Sequence, residues 1–218
     1  MRRFMLIPVL ALITLFSFGQ INPVDFEGIK AIAVSDQYND LLNRYKANDT
    51  TLTLNDYRVI YYGQIYKDDY KPYKRHDSIK ALDNYLNKSS DVIDFHKVLQ
   101  YTHQILSEYP FNIEQIFITA VVYDKSGENE LSHLWFYKYD KLIRTILSSG
   151  DGKTETTAFI VTKVTDEYSI LDALGLNASG QILTSKNNKY YDLINITQND
   201  QKIDKLFFDV SHFFGKWK

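Results

Sequence analysis

The sequence contains no cysteine. That absence excludes disulfides, cysteine–zinc sites and thiol nucleophiles, and with them lipid attachment at an N-terminal cysteine. A chain of 218 residues can do without such staples, because about 200 residues bury roughly 70% of the surface of the unfolded chain. No segment is strongly basic and the net charge is −2, so nucleic acid is not expected as a partner. After the N-terminal leader, no stretch approaches the ~20 apolar residues of a membrane-spanning helix. One domain, or two closely packed subdomains, is expected.

Residues 1–19 carry the three parts of a cleavable export signal. Arg2 and Arg3 form a positive start, Phe4 to Phe16 is an apolar run broken only by Pro8 and Thr14, and Ser17-Phe18-Gly19 supplies small residues before a scissile bond. The run is too short and too broken for a membrane anchor. Cleavage is expected between Gly19 and Gln20, which places the mature chain in the periplasm or outside the cell.

From 20 to 150 the apolar spacing is helical. Tyr38, Leu41, Leu42 and Tyr45 share one face, and Thr53 with Asp56 three positions later forms a capping box that opens the next helix. Further helices are expected over Ser78 to Leu86, from a Ser90 cap to Glu108, from an Asn112 cap to Lys125, and over Glu128 to Leu147. Gly127 stands where a left-handed residue ends a helix. The starts at Ser78 and Asn112 lie one tetratricopeptide period apart, so the region reads as tetratricopeptide-like helical hairpins.

After Ser148-Ser149-Gly150-Asp151-Gly152 the period changes. Thr157 to Val164 reads as a strand, Asp166 to Leu174 as a short helix ended by Gly175. Two strands flank Asn187-Asn188, a pair that tolerates the positive φ of a tight hairpin, and Ile203 to Val210 forms a last strand. The expected fold class is α+β: helical hairpins, then residues 151–218 as a small, mainly antiparallel sheet with one short helix packed on them.

The chemistry-bearing motifs fail on inspection. Gly152-Lys153-Thr154 lacks the glycine of a phosphate loop, since Leu147 stands in its place, and it precedes a strand instead of a helix. Asp124 to Trp135 has Asn129 and Trp135 where a calcium loop needs glycine and glutamate. His96 and His103 share a helix face, but two ligands are too few for zinc, and there is no Gly-x-Ser-x-Gly elbow. No metal and no cofactor is therefore expected. Four Asn-x-Ser/Thr triplets, at Asn48, Asn87, Asn177 and Asn195, are acceptors only in a host that glycosylates.

Tyrosine is the most unusual feature, with 17 copies. Tyr57 with Tyr61, and Tyr62 with Tyr66, form four-apart pairs, and Tyr70 and Tyr73 follow closely. Exposed, such a stripe suits a peptide or sugar; buried, the rings would pack the hairpins with their hydroxyls reaching outward. The candidate contact surface is Tyr57, Tyr61, Tyr62 and Tyr66, together with Ser149 and Asp151 of the turn.

Two stretches are distinctive together. One runs Ala47-Asn48-Asp49-Thr50-Thr51-Leu52-Thr53-Leu54-Asn55-Asp56-Tyr57-Arg58 on to Tyr61-Tyr62-Gly63. The other runs from Ile146 to Thr154, with Thr157-Ala158-Phe159 and Glu167-Tyr168. They resemble the bacterial domain of unknown function 4919 family over roughly Asp25 to Val210. The resemblance implies an envelope setting and an α+β build, and transfers no catalytic residue. The expected function is a non-catalytic protein- or peptide-binding or scaffold module of the envelope. The alternative is a hydrolase of envelope polymers or glycans, with a carboxylate site near Ser148 to Asp151.

Overall fold

Short polar side chains set where four of the helices begin in the computed structural model, which describes residues 23–88 and 93–215. The expected leader lies outside the described residues, as does Ser90. Asp25 opens α1 (Phe26–Ala33) by accepting from the Gly28 amide. After α2 (Asp36–Lys46), Thr53 opens α3 (Leu54–Gly63) with both arms of its capping box made: Asp56 N–H donates to Thr53 Oγ1 at 3.2 Å, and Thr53 N–H to Asp56 Oδ2 at 2.8 Å. These bonds satisfy amides that the helix itself leaves without acceptors.

The next helices form an up-and-down series: α4 (Asp77–Lys88), α5 (Phe95–Glu108), α6 (Ile113–Lys125) and α7 (Asn129–Leu147). Asn112 caps α6 as its spacing predicts, and Gly127 follows with φ +79°. The cap of α5 is Asp94, whose Oδ1 accepts from Lys97 N–H. That corrects the expected Ser90 start: a carboxylate at the positive end of the helix also favours the dipole. Neighbouring hairpins pack on one another, with a small cluster of Leu82, Val98 and Val122 between α4, α5 and α6. In a solenoid each unit touches only its neighbours, whereas here α7 packs back against α3. The hairpins therefore close around a shared interior.

That interior continues into the C-terminal part. β1 (Phe159–Ile160) leads into α8 (Val164–Leu174), which ends at Gly175 with φ +69°. Then come β2 (Ala178–Lys186), β3 (Lys189–Ile196) and β4 (Lys205–Asp209). The strand order is β1-β4-β3-β2, with β1 parallel to β4 and the other two pairings antiparallel. Asn187 and Asn188 turn the β2–β3 hairpin with φ +52° and +60°, the left-handed pair that matches strand twist. The sheet's inner face offers Ile194, Ile196, Leu206 and Phe208 to the same core that holds Tyr57, Ile60 and Ile146 of the helices.

The long strand expected over Thr157 to Val164 is reduced to two residues. Glu155–Thr157 forms a 3-10 turn and α8 already begins at Val164. The β-branched side chains between them serve burial: Val161 and Thr162 are both buried.

The turn before β1 is close-packed. Asp151 and Gly152 N–H both donate to the Thr157 carbonyl, at 2.9 and 2.8 Å. A Cβ on Gly150 would collide with the carbonyl oxygens of Thr157 and Ala158. Gly150→Ala is therefore expected to lower unfolding free energy by about 1–3 kcal/mol, the usual cost of overpacking against backbone, read from a urea denaturation midpoint. A shift below about 0.5 kcal/mol, the range of neutral surface changes, would contradict this packing.

Candidate functional site

A tyrosine on the inner face of a helix carries a broad apolar ring and a hydroxyl that must find a partner once buried. Tyr57 is 1% exposed, and Tyr61 and Tyr62 are 0% exposed. Tyr57 meets Tyr45 edge-on at 5.7 Å, and Tyr61 and Tyr62 meet each other edge-on at 4.9 Å. The Tyr61 hydroxyl donates to Asp166 Oδ2 at 2.7 Å, and the Tyr62 hydroxyl reaches the carbonyls of Ile160 (3.2 Å) and Thr145 (3.4 Å). Tyr66, half-buried, donates to Phe26 O at 3.3 Å, and Tyr70 to Thr162 O. These rings belong to the core. The reading of Tyr57, Tyr61 and Tyr62 as an open contact surface is corrected, because hydrophobic spacing of this kind is what builds an interior.

The turn residues are structural as well. Buried Ser149 donates through Oγ to Ile146 O at 2.6 Å and accepts from Ile160 N–H at 2.9 Å. Asp151 accepts from Lys153 N–H at 3.0 Å. Burial is the largest single influence and raises its carboxyl, but hydrogen bonding with Thr157 and Lys153 and the Lys153 charge together outweigh it and hold the group below the usual range. The turn thus fastens the end of α7 to β1, and its residues are spent on that task.

Three buried carboxyls gather elsewhere, on α8 and β3. Burial pushes Asp166 up to about 6, while Tyr61, Lys163 and Thr162 pull the other way. Beside it Glu167, 0% exposed, faces Asp192, 7% exposed. Burial first, and then the negative charge and hydrogen bonding of Asp192, push Glu167 up to about 10. It therefore keeps its proton at neutral pH. One oxygen, Oε2, accepts from Gln181 Nε2 at 3.1 Å. The other has no hydrogen-bond partner among the described residues, and the proton that Glu167 keeps is the donor that its hydrogen bond with Asp192 requires. Gln181 in turn accepts from the Tyr168 hydroxyl at 2.7 Å. The pair can share a proton, but it lies sealed between α8 and the sheet. Neighbouring residues on one helix seldom both face inward, so spacing alone did not single out Asp166 and Glu167.

Three features of the open surface stand out. A cleft of about 220 Å³ lies between α2, α5 and α7, with Lys138 and Trp135 in its wall. A second, of about 290 Å³, is lined by Arg75, His76, Tyr109 and Lys163, with the Lys163 ammonium 4.4 Å over the Tyr109 ring. The third is β2, the outer strand of the sheet. Among the described residues no group of three metal-ligating side chains converges, and no helix is long and apolar enough to cross a membrane. His103 stacks on Trp135 with ring centres 5.7 Å apart, and burial lowers its proton affinity.

A family model described as a domain of unknown function (DUF4919) matches residues 27–217. No curated protein and no solved structure matches the chain.

The protonated Glu167 makes stability depend on pH in a defined direction. Unfolded glutamate ionises near its ordinary value, whereas folded Glu167 holds its proton to about 10. Folding therefore takes up a proton across that window, and the stability it contributes below the ordinary glutamate value is lost as pH rises toward 10. Glu167→Gln, which cannot ionise, should gain on the wild type as pH rises, by at most ~1.4 kcal/mol per pH unit. Parallel denaturation curves for both proteins at pH 5, 7 and 9 would contradict the buried acid.

Proposed function

The chain belongs to the DUF4919 family, and on that premise we propose that it is an exported, non-catalytic binding module of the bacterial envelope that captures an extended peptide segment along β2. A family of unknown function lends no reaction, so the reading rests on surfaces.

The free edge of β2 is the observation that carries the proposal. The strand is nine residues long, pairs with β3 on one side only and ends the sheet order. All but Thr184 of its residues are exposed. Every second residue along such an edge directs its backbone N–H and C=O outward, and an extended polypeptide is the ligand that matches that row. Side chains on both faces add apolar contact: Ile182 is 52% and Leu183 47% exposed, with Tyr168 and Tyr190 exposed nearby.

Edge strands are ordinarily guarded by proline, inward charge or brevity. The run Ala-Ser-Gly-Gln-Ile-Leu-Thr-Ser-Lys has no proline, and its one charge is terminal Lys186. A register irregularity between Ala178 and Gly180 disturbs only the start of the strand.

Export rests on residues 1–19, whose charged start, apolar run and small-residue end match a cleavable leader. The hydrolase alternative loses its motive, since Ser149 and Asp151 are committed to holding the turn.

Two measurements test these proposals. Intact mass of the protein from its native host should correspond to a chain starting at Gln20; retention of Met1 to Gly19 would contradict export by cleavage. For the edge, ten-residue peptides selected on the purified chain should slow hydrogen exchange of amides in β2. Binding should be lost in the Ile182→Lys, Leu183→Lys double variant, which alters only exposed side chains. Protection elsewhere, equal binding by the double variant, or self-association in place of peptide capture would overturn the proposal.

A further inference from the structure

Independently of the β2 edge, Lys138 stands out as a cation without a counter-ion. It projects from the middle of α7 and is 5% exposed. Among the described residues its ammonium has no carboxylate or hydrogen-bond partner. It rests over two aromatic faces, 4.4 Å from the centre of Tyr45 and 4.8 Å from that of Trp135. Buried ammonium groups are normally paired, because an unpaired charge in apolar surroundings is costly. Ring faces offset part of that cost, yet they leave the charge itself uncompensated. Burial accordingly lowers its proton affinity to about 8, so it is still mostly charged at neutral pH.

The ammonium lines an open cleft, between α2, α5 and α7. The groups around it are basic or neutral: Lys46 and Tyr45 from α2, and His103 and Ser107 from α5. Tyr45 is held neutral by burial and donates its hydroxyl to Pro110 O at 2.8 Å. No acidic side chain lines the cleft. Leu106 and the Trp135 ring give the rest of the wall an apolar character. A volume of about 220 Å³ is below the ~300–1,000 Å³ typical of drug-sized ligands.

The geometry points to a binding site for a small monocarboxylate with an apolar body, its carboxylate paired with the Lys138 ammonium and its body against Trp135 and Leu106. One buried ammonium balances one negative charge. A dianion such as phosphate would carry a second charge into an apolar cleft, with the next ammonium, Lys46, out on the exposed rim, and that burial is unfavourable.

Calorimetric titration of the purified chain with benzoate tests the site, with benzamide and inorganic phosphate as matched probes. Benzoate should saturate at one site, and benzamide, equal in shape and uncharged, should bind at least about tenfold more weakly, as expected for loss of a buried charge pair. Raising the pH from 7 to 9 should weaken benzoate by roughly tenfold as the amine loses its proton. Lys138→Met keeps the length and removes the charge, and should abolish binding while the chain stays folded by circular dichroism. Equal binding of benzoate and benzamide, a flat pH profile, tighter binding of phosphate, or benzoate binding retained by folded Lys138→Met would each overturn the proposal. The first three comparisons use the unaltered protein, so they hold even if the variant fails to fold.

Discussion

Buried tyrosine hydroxyls are the constraint on which the rest of the structure depends. A ring of this size stabilises the core by its apolar area, but its oxygen has to be hydrogen-bonded or the burial becomes unfavourable. In this chain the hydroxyls reach far along the sequence. Tyr38 donates to Ile60 O, Tyr45 to Pro110 O, Tyr73 to Phe213 O, and Tyr61 to Asp166, 105 positions away. Three of them, from Tyr61, Tyr62 and Tyr70, converge on residues 160–166 between β1 and α8. The α3 region therefore fixes the start of α8, α8 fixes Glu167 against Asp192 and Gln181, and the hairpin of β2 and β3 is held at the end of that sequence of contacts.

This order of dependence separates framework from surface. In the segment richest in tyrosine, where a contact face was expected, Tyr57, Tyr61 and Tyr62 are buried and Tyr66, Tyr70 and Tyr73 half-buried. The open features lie at the periphery, among them the outer edge of β2 and the two clefts. A rigid interior with a free strand edge suits recognition by backbone pairing, because the edge need not reorganise to accept a partner. The absence of disulfides fits the same picture. Long-range hydroxyl bonds and a large core shared by helices and sheet do the joining that crosslinks do in smaller domains.

Much of the fold was legible in the sequence wherever local chemistry decides. The capping box at Thr53 and Asp56, the Asn112 cap, the left-handed glycines at 127 and 175 and the Asn187-Asn188 hairpin all stand where their residues predict. The α+β class followed from the change of period after Gly152. Tertiary contacts were harder to read. The β-branched stretch from Thr157 looked like a full strand, yet Val161 and Thr162 are used to fill the core before α8. Periodicity could say that the tyrosines share a helix face, and only the partner elements decide whether that face is covered. The Glu167–Asp192 pair and the Lys138 cleft join residues from separate elements, so no local pattern announces them. The open edge of β2 was equally hard to read, because the order of strands in a sheet is decided by tertiary pairing and this strand carries neither the proline nor the inward charge that marks an edge.

The most direct test of this account is equilibrium unfolding of the Tyr61→Phe, Tyr62→Phe double variant, which keeps both rings and removes only the two oxygens. If those hydroxyls pin the helices to the segment before α8, stability should fall by about 2–4 kcal/mol, since Asp166 and the carbonyls of Thr145 and Ile160 each lose a donor. A change under about 0.5 kcal/mol would show that the rings alone hold the two parts together, and the central claim would fail.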